Sequence, residues 1–351
     1  MVRKVIDMTS RERILAAMRF EKVDRVPVTP WSFHKIDPET PLGRELIRKT
    51  DMVSDVGVGD PILGKAAQID HRREGDTSVT VVRTPKGDLT SRYRRTDVTG
   101  ATVEFFLKEP EDVEKLLSIH YEPADFDLSR YQARRALLGD EGLAMVGILN
   151  GVAVPASWFS PEGFCLAWAD CPDLIERLTA VMTERLMDFA ERLCRAGVDA
   201  FRIIGGEYAS VQLGPDAFKR LCVKYDRALV DVMHKYGAVA HYHNHGPVMR
   251  YLEDFAAIGI DCIDPMEAPP WGDCDLREAR RRLGDRLCFL GNLDDMEIID
   301  KLPTEEVLAI ARKRLDEAGD RGFILGGTSS GAYGEHGARN FIAMAEMVAG
   351  S

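Results

Sequence analysis

The chain has 351 residues, of which 45% are hydrophobic and 29% charged, and its formal net charge is −11. That balance suits a globular protein with apolar material for one large α/β barrel or two ordinary domains, and it argues against a generalised nucleic-acid surface. No apolar run reaches the length of a membrane span and residues 1–15 lack a signal-peptide core, so the expectation is a cytoplasmic protein without a membrane or nucleic-acid partner.

In chain order, Thr9-Ser10-Arg11-Glu12 reads as a capping box opening a helix whose Ile14, Leu15 and Met18 share one apolar face. A proline-interrupted first strand follows at 26–30, then a short helix at 41–49 and a second strand at 52–58. Residues 76–107 change character. Two β-rich runs flank Pro85-Lys86-Gly87-Asp88, a hairpin pattern with its turn chemistry, and residues 101–107 add a third antiparallel strand. This piece reads as a small sheet appended to the main body. Helices are expected at 111–118 and 128–138.

From residue 144 the alternation is regular. Strands at 144–149, 199–204, 238–243, 260–264, 287–292 and 322–327 are separated by helical stretches, among them 172–196, 275–283, 304–318 and 337–349. Strand–helix alternation of this kind makes parallel βαβ units. With the opening segment, eight strands are reached, and the predicted architecture is one (β/α)8 TIM barrel spanning residues 1–351. A doubly wound open sheet is the alternative, because strand count does not establish closure. The seven cysteines are widely spaced and form no CxxC pair, which points to buried thiols rather than a disulfide framework or a Cys-rich zinc module.

The strand ends carry the chemistry. His241, His243 and His245 alternate, so all three can point to one side of their strand, with His241 a layer deeper. They suit a shared metal, a proton relay or a polar core layer. Glu207 and Glu267 follow the neighbouring strands in turn-rich segments, where a carboxylate serves as a metal ligand, a general acid or base, or a helix cap. Such a set of carboxylates and imidazoles favours zinc while permitting iron or manganese. Cys222 falls on a helix beginning near residue 216, where core packing is the default. Asn150 and Asn292 end strands and either hold substrate oxygens or satisfy tight turns. Trp31, Trp158, Phe159 and Trp271 lie just past strand ends, as pocket lining or as rim packing. Tyr333 and His336 follow a Gly/Ser-rich loop at 326–332 that could close over a site. GxGxxG and P-loop patterns are absent, so no nucleotide cofactor is implied.

The opening TSRERILAAMRFEKVDRVPVTP, the His-x-His-Gly of residues 243–246, the IDPMEAPPWGD segment, the LGN turn at 290–292 and the Gly-rich turn at 326–331 resemble the uroporphyrinogen decarboxylase superfamily. The resemblance implies a (β/α)8 barrel, and its members include true decarboxylases and zinc-dependent methyltransferases that work with corrinoid proteins. The Arg-Gln-Ala-Gly-Arg segment of the decarboxylases is replaced here by TPWSFHKIDPE. The His-x-Cys of the thiol-activating methyltransferases is replaced by His243-Asn244-His245, with Thr328-Ser329-Ser330 where a later cysteine is expected. The branch that remains removes methyl groups from small donors such as phenyl methyl ethers. It implies zinc on Glu207, His243 and His245, with a ligand spacing that lands on Cys222. Glu267, His241, Tyr333 and His336 are then the acid–base candidates, and Asn150, Trp158, Phe159, Asn292 and Trp31 the substrate-contacting ones. The expected activity is methyl transfer from a small methylated donor to the cob(I)alamin of a separate corrinoid protein. The alternatives are a decarboxylase of another carboxylated substrate, with Arg202 and Arg250 as the nearest basic groups, and a non-catalytic ligand-binding barrel. A homo-oligomer is compatible with all three.

Overall fold

The computed structural model describes residues 8–329 and 331–350; residues 1–7, Ser330 and Ser351 lie outside it. Twelve strands are described: β1 (Val28–Thr29), β2 (Met52–Val56), β3 (Gln68–Glu74), β4 (Thr77–Arg83), β5 (Leu89–Arg95), β6 (Gly100–Glu104), β7 (Gly142–Leu149), β8 (Ala200–Ile204), β9 (Val239–His243), β10 (Cys262–Asp264), β11 (Cys288–Leu293) and β12 (Phe323–Gly327). Eight of them form one parallel sheet in the order β1-β12-β11-β10-β9-β8-β7-β2. A parallel bridge between Trp31 and Val53, with Ser32 N–H donating to Val53 O at 2.7 Å, joins the two ends of that order. The ring therefore closes, and the architecture is the (β/α)8 barrel rather than the open sheet.

The capping box forms as its spacing predicts. Thr9 Oγ1 accepts from Glu12 N–H at 3.2 Å and the Glu12 carboxylate accepts from Thr9 N–H at 2.9 Å, starting the helix Ser10–Met18. Ile14, Ala17 and Met18 of this helix pack with Val53, Leu143, Met145, Ala200, Val239, Cys262, Cys288, Leu290 and Ile324 in one buried cluster. These strand residues alternate inward, so the cluster fills the N-terminal half of the lumen and the helix seats against it as a floor. A second, larger cluster lies between the barrel wall and the outer helices, with Phe189, Phe201, Phe218, Phe255, Phe289 and Phe341 among its largest side chains.

The appended sheet has the order β3-β4-β5-β6, all antiparallel, and stands apart from the barrel sheet. It has one strand more than the sequence suggests. In β3, QIDHRRE, every residue is exposed, so no apolar alternation marks it. The first strand is shorter than expected, two residues instead of five, because Pro27 and Pro30 flank it and contribute no N–H to a ladder. The helices Ala153–Trp158 and Pro161–Asp170 are additional, and the helix predicted from residue 216 breaks into Pro215–Phe218, a π-helical turn Lys219–Val223, and Lys224–Lys235.

Candidate active site at the barrel mouth

Register decides which side chains meet. His241 on β9 stands opposite Arg202 on β8 and Cys262 on β10, and His243 stands opposite Ile204 and Asp264. Inward alternation therefore stacks Arg202, His241, His243 and Asp264 in the upper lumen, above the apolar floor. Asp264 is buried and receives one imidazole on each oxygen: His241 Nε2 at 2.5 Å from Oδ1 and His243 Nδ1 at 2.9 Å from Oδ2. Ser329 Oγ donates to Oδ2 at 3.2 Å, and Arg202 Nη2 lies 3.4 Å from the same oxygen. Burial would raise the Asp264 carboxyl, but the charges of His243, Arg202 and His241 together hold it well below the usual carboxylate range. The Arg202 guanidinium stacks over Trp31 at 4.0 Å, and Trp31 lies 5.4 Å from His241, so Trp31 supports this polar layer from below.

Above it, the ring of His245 meets that of His243 edge-on with centroids 4.4 Å apart. Glu267 bridges His245 Nδ1 at 3.0 Å and the N–H of Gly246 at 2.7 Å, and its hydrogen bond raises the His245 pKa, against burial, which lowers it. Both His243 and His245 thus have Nδ1 held by a carboxylate, and no described residue bonds to either Nε2. Glu207 reaches the same mouth because Gly205-Gly206 lets the chain pass close: a Cβ on Gly206 would lie 2.6 Å from Asn244 Oδ1 and from the Tyr242 ring, and Gly205 has φ +123°. Glu207 Oε2 is buried and no described residue bonds to it. Glu207, His245 and Glu267 line a cavity of about 600 Å³ with Val211, Gln212, Gly246, Trp271, Asp294, Met296 and Glu297. A smaller adjoining cavity of about 420 Å³ shares Glu267 and Trp271 and is lined also by Asn292, whose amide donates to Met266 O at 2.9 Å.

The remaining candidates fall elsewhere. Asn150 and Cys222 belong to a fully buried cluster with Tyr242 and Asp226, on the outward side of β9, opposite the face that carries His241 and His243. Tyr242 Oη and Asn150 Nδ2 both donate to Asp226 Oδ2, at 2.6 and 3.0 Å, and Asn150 Oδ1 caps Ala153 N–H. Burial pushes the Cys222 thiol well above its ordinary value, so it is a packed, protonated side chain beside a π-helical turn, and the structure does not bring it to His243 and His245. Trp158 packs on Phe106 at 4.7 Å, and Phe159 is buried in the outer core. Tyr333 is buried and donates to Ser32 O at 2.6 Å, while His336 bonds to Leu302 O at 2.8 Å; neither lines the mouth cavities. The structure brings none of these six to the mouth cavities: Cys222 is packed in the core, as its place on a helix suggests, and for the others a position past a strand end does not fix which way the side chain turns. Conversely, Asp264 escapes the sequence reading, and Arg202 enters it only as a basic group for a decarboxylase, because both lie inside strands. The available signal was a charged residue in each of the apolar runs FRII and CID, directly beside the His strand.

Burial pushes the Asp226 carboxyl up to about 7, against the hydrogen bonds of Tyr242 and Asn150 that lower it. A carboxyl raised on folding holds its proton longer than in the unfolded chain, so stability should fall as pH rises from about 4 to about 7 and then level off. Asp226→Asn, which keeps a polar group of the same shape, should therefore stabilise the protein at pH 8 by up to ~4 kcal/mol, at 1.36 kcal/mol per pKa unit, and change little at pH 4. Urea unfolding at the two pH values measures this; equal effects at both would refute the assignment.

A closed (β/α)8 barrel with imidazoles, carboxylates and a cavity gathered at the C-terminal mouth defines an α/β-barrel enzyme. The uroporphyrinogen decarboxylase (URO-D) family profile matches residues 160–350, more than half of the chain, and the chain belongs to that family. A curated uroporphyrinogen decarboxylase from Dechloromonas aromatica (strain RCB) is 28% identical over 157 residues, a stretch covering 42% of this chain and 40% of that protein. Among solved structures, a methyltransferase from Methanosarcina mazei superposes with a TM-score of 0.66 at 15% identity, covering 97% of this chain and 99% of that one. That likeness is one of fold. No helix among the described residues is long and apolar enough to cross a membrane.

Proposed function

We propose that this protein is a methyltransferase of the URO-D family that moves a methyl group from a small methylated donor, of the phenyl methyl ether class, to the cob(I)alamin of a separate corrinoid protein. The observation that carries this reading is the pair His243 and His245, their rings 4.4 Å apart, each with Nδ1 on a buried carboxylate and no described partner at Nε2, with His245 lining the same cavity as Glu207 and Glu267. Imidazoles held at Nδ1 by carboxylates are the arrangement in which zinc-binding histidines are oriented. Among the described residues no three His, Cys, Asp or Glu side chains stand as a ready metal-binding group. The donor set nevertheless fits zinc in kind: two imidazole nitrogens and the unpartnered Glu207 oxygen would hold it, with Cys222 left out. Bound there, zinc would act as a Lewis acid on the donor's ether oxygen.

The chain's own residues do the rest. Trp271, Met296 and Val211 offer the apolar walls that a compact donor needs, and Asn292 stands at the adjoining cavity. The departing oxygen keeps the C–O electron pair and must gain a proton, which Glu267 at the cavity wall would supply in its protonated form. Fold likeness to a methyltransferase over nearly the whole chain is consistent with this reading. Decarboxylation of a polycarboxylate has less support. No described Arg or Lys lines either mouth cavity, Arg202 is committed to the lumen layer, and Arg250 is exposed beside Tyr251.

Metal analysis of the purified chain, followed by a screen of methylated donors against reduced corrinoid, tests the proposal; no transfer from any donor by zinc-loaded protein would sink it. Glu267→Gln divides two roles for that residue. As proton donor, its loss should leave zinc content intact and slow an unsubstituted aryl methyl ether roughly 10²–10⁴-fold, while an ether with an electron-withdrawing ring substituent is slowed much less. Loss of zinc, with both ethers slowed equally, would make Glu267 a ligand instead.

A further inference from the structure

The smaller mouth cavity, about 420 Å³, is lined by Pro269, Pro270 and Trp271 and by the polar residues Asn292, Asp294 and Glu297, and no described Arg, Lys or His lines it. Asn292 is the informative member. It is 2% exposed, its Nδ2 donates to Met266 O at 2.9 Å, and no described residue bonds to its Oδ1. The amide cannot be turned over, because Oδ1 would then meet the Met266 carbonyl as acceptor against acceptor. Met266 does not line the cavity, so the oxygen is the arm of Asn292 left for it. A buried acceptor without a donor is costly, and what would satisfy this one is an N–H or O–H brought by a ligand. The sequence reading offers Asn292 as a holder of substrate oxygens; the geometry reverses that polarity.

The rest of the wall selects the charge of that ligand. Asp294 Oδ1 accepts from the N–H groups of Met296 and Glu297, at 2.9 and 2.6 Å, bonds that leave its negative charge in place. Glu297 shares its charge with Lys301, 2.5 Å from Oε2, which is not part of the wall. Trp271 is 62% exposed and adds an indole ring, whose face attracts cations. We infer that this cavity is a subsite for an organic ammonium group, whose N–H donates to Asn292 Oδ1 and whose charge is met by Asp294 and the Trp271 ring. A carboxylate or phosphate finds no cationic side chain there among the described residues. The two mouth cavities share Glu267, Trp271, Asp294 and Glu297, so one molecule can reach both. The subsite stands on the cavity lining; that its occupant is the methyl donor, an aryl methyl ether bearing an aminomethyl group, rests on the methyltransferase reading.

Calorimetric titration of the metal-free full chain at pH 7 with benzylamine, benzyl alcohol and benzoate reads the subsite without turnover. Benzylamine, protonated at this pH, should bind roughly 10-fold more tightly than benzyl alcohol, and benzoate more weakly than either. No binding of benzylamine, equal affinity for the amine and the alcohol, or a preference for benzoate overturns the inference. Trp271→Ala, at an exposed position that folding does not depend on, should erase most of the preference for the amine; an undiminished preference counts against the subsite as drawn. Crystals soaked with 4-bromobenzylamine, the bromine located by its anomalous signal, give the position: the ammonium nitrogen should lie within hydrogen-bond reach of Asn292 Oδ1, and a nitrogen bound elsewhere overturns the assignment. In the transfer assay 4-methoxybenzylamine should show a lower KM than anisole. Absence of transfer from every donor sinks the methyltransferase reading, while the titrations still decide the subsite.

Discussion

Replacing His243 with alanine should strip the metal and abolish methyl transfer while leaving the barrel folded. The imidazole contributes one of the two open Nε2 atoms, so its removal should weaken zinc binding by more than the roughly 10–100-fold that loss of an outer partner costs. Folding should survive, because Asp264 keeps His241 and Ser329 as donors and Arg202 keeps its stack on Trp31. Zinc content by elemental analysis, transfer rate with a reduced corrinoid acceptor, and circular dichroism on one preparation separate these effects. Full metal content with full activity in His243→Ala would end the metal-centred reading.

The largest effect on stability is expected at Asp51→Ala, far from the mouth. Asp51 is fully buried and accepts from Arg13 at 2.6 Å, from Arg25 at 2.7 Å and from the N–H of Val28 at 2.8 Å. Arg13 belongs to the floor helix, Val28 opens β1 and Asp51 directly precedes β2. One carboxylate therefore ties the floor to the strands at the barrel seam. Removing it leaves the nearly buried Arg13 with one carboxylate, Asp24, beside the Met8 carbonyl, leaves the N–H of Val28 without its carboxylate acceptor, and should cost about 3–5 kcal/mol, the range for breaking a buried ion pair from one side. A urea midpoint shifted by less than a surface substitution's ~0.5 kcal/mol would show that the seam does not depend on this group.

That pair of predictions also marks how far the sequence could be read. The barrel was legible because parallel strands buried on both faces are short apolar runs between turn signals, and β7 to β12 all have that form. The capping box was legible because its mechanism is local. What escaped was structure without a local apolar signal: the exposed strand β3, and the helix Ala153–Trp158, whose N-cap residue is a valine that makes no cap bond and whose third residue is proline. At the site, Glu207, His243, His245 and Glu267 were legible because parallel strands deliver their C-terminal residues to one rim. The partners that orient them were not. Asp264 and Arg202 acquire their meaning only from the register that sets β8, β9 and β10 side by side. Cys222 was legible from its helix as a packed core side chain, and only the family resemblance made it a ligand; the turn that carries it is π-helical and its thiol is fully buried.

The apolar floor beneath the polar lumen has a kinetic side. Among the described residues, a barrel stopped at one end by Ile14, Ala17 and Met18 is a well closed at its floor, and the two reactants of the proposed transfer would share its mouth. A donor small enough to fit inside about 600 Å³ can pass through that opening; a protein that brings an acceptor can only sit across it. If the proposed methyl transfer holds, traffic would be one-way in time: the donor would enter before the acceptor docks, and the demethylated product would leave after the acceptor lifts away. Steady-state rates should follow a compulsory order, with excess acceptor protein inhibiting by closing empty wells and high donor concentration relieving that inhibition.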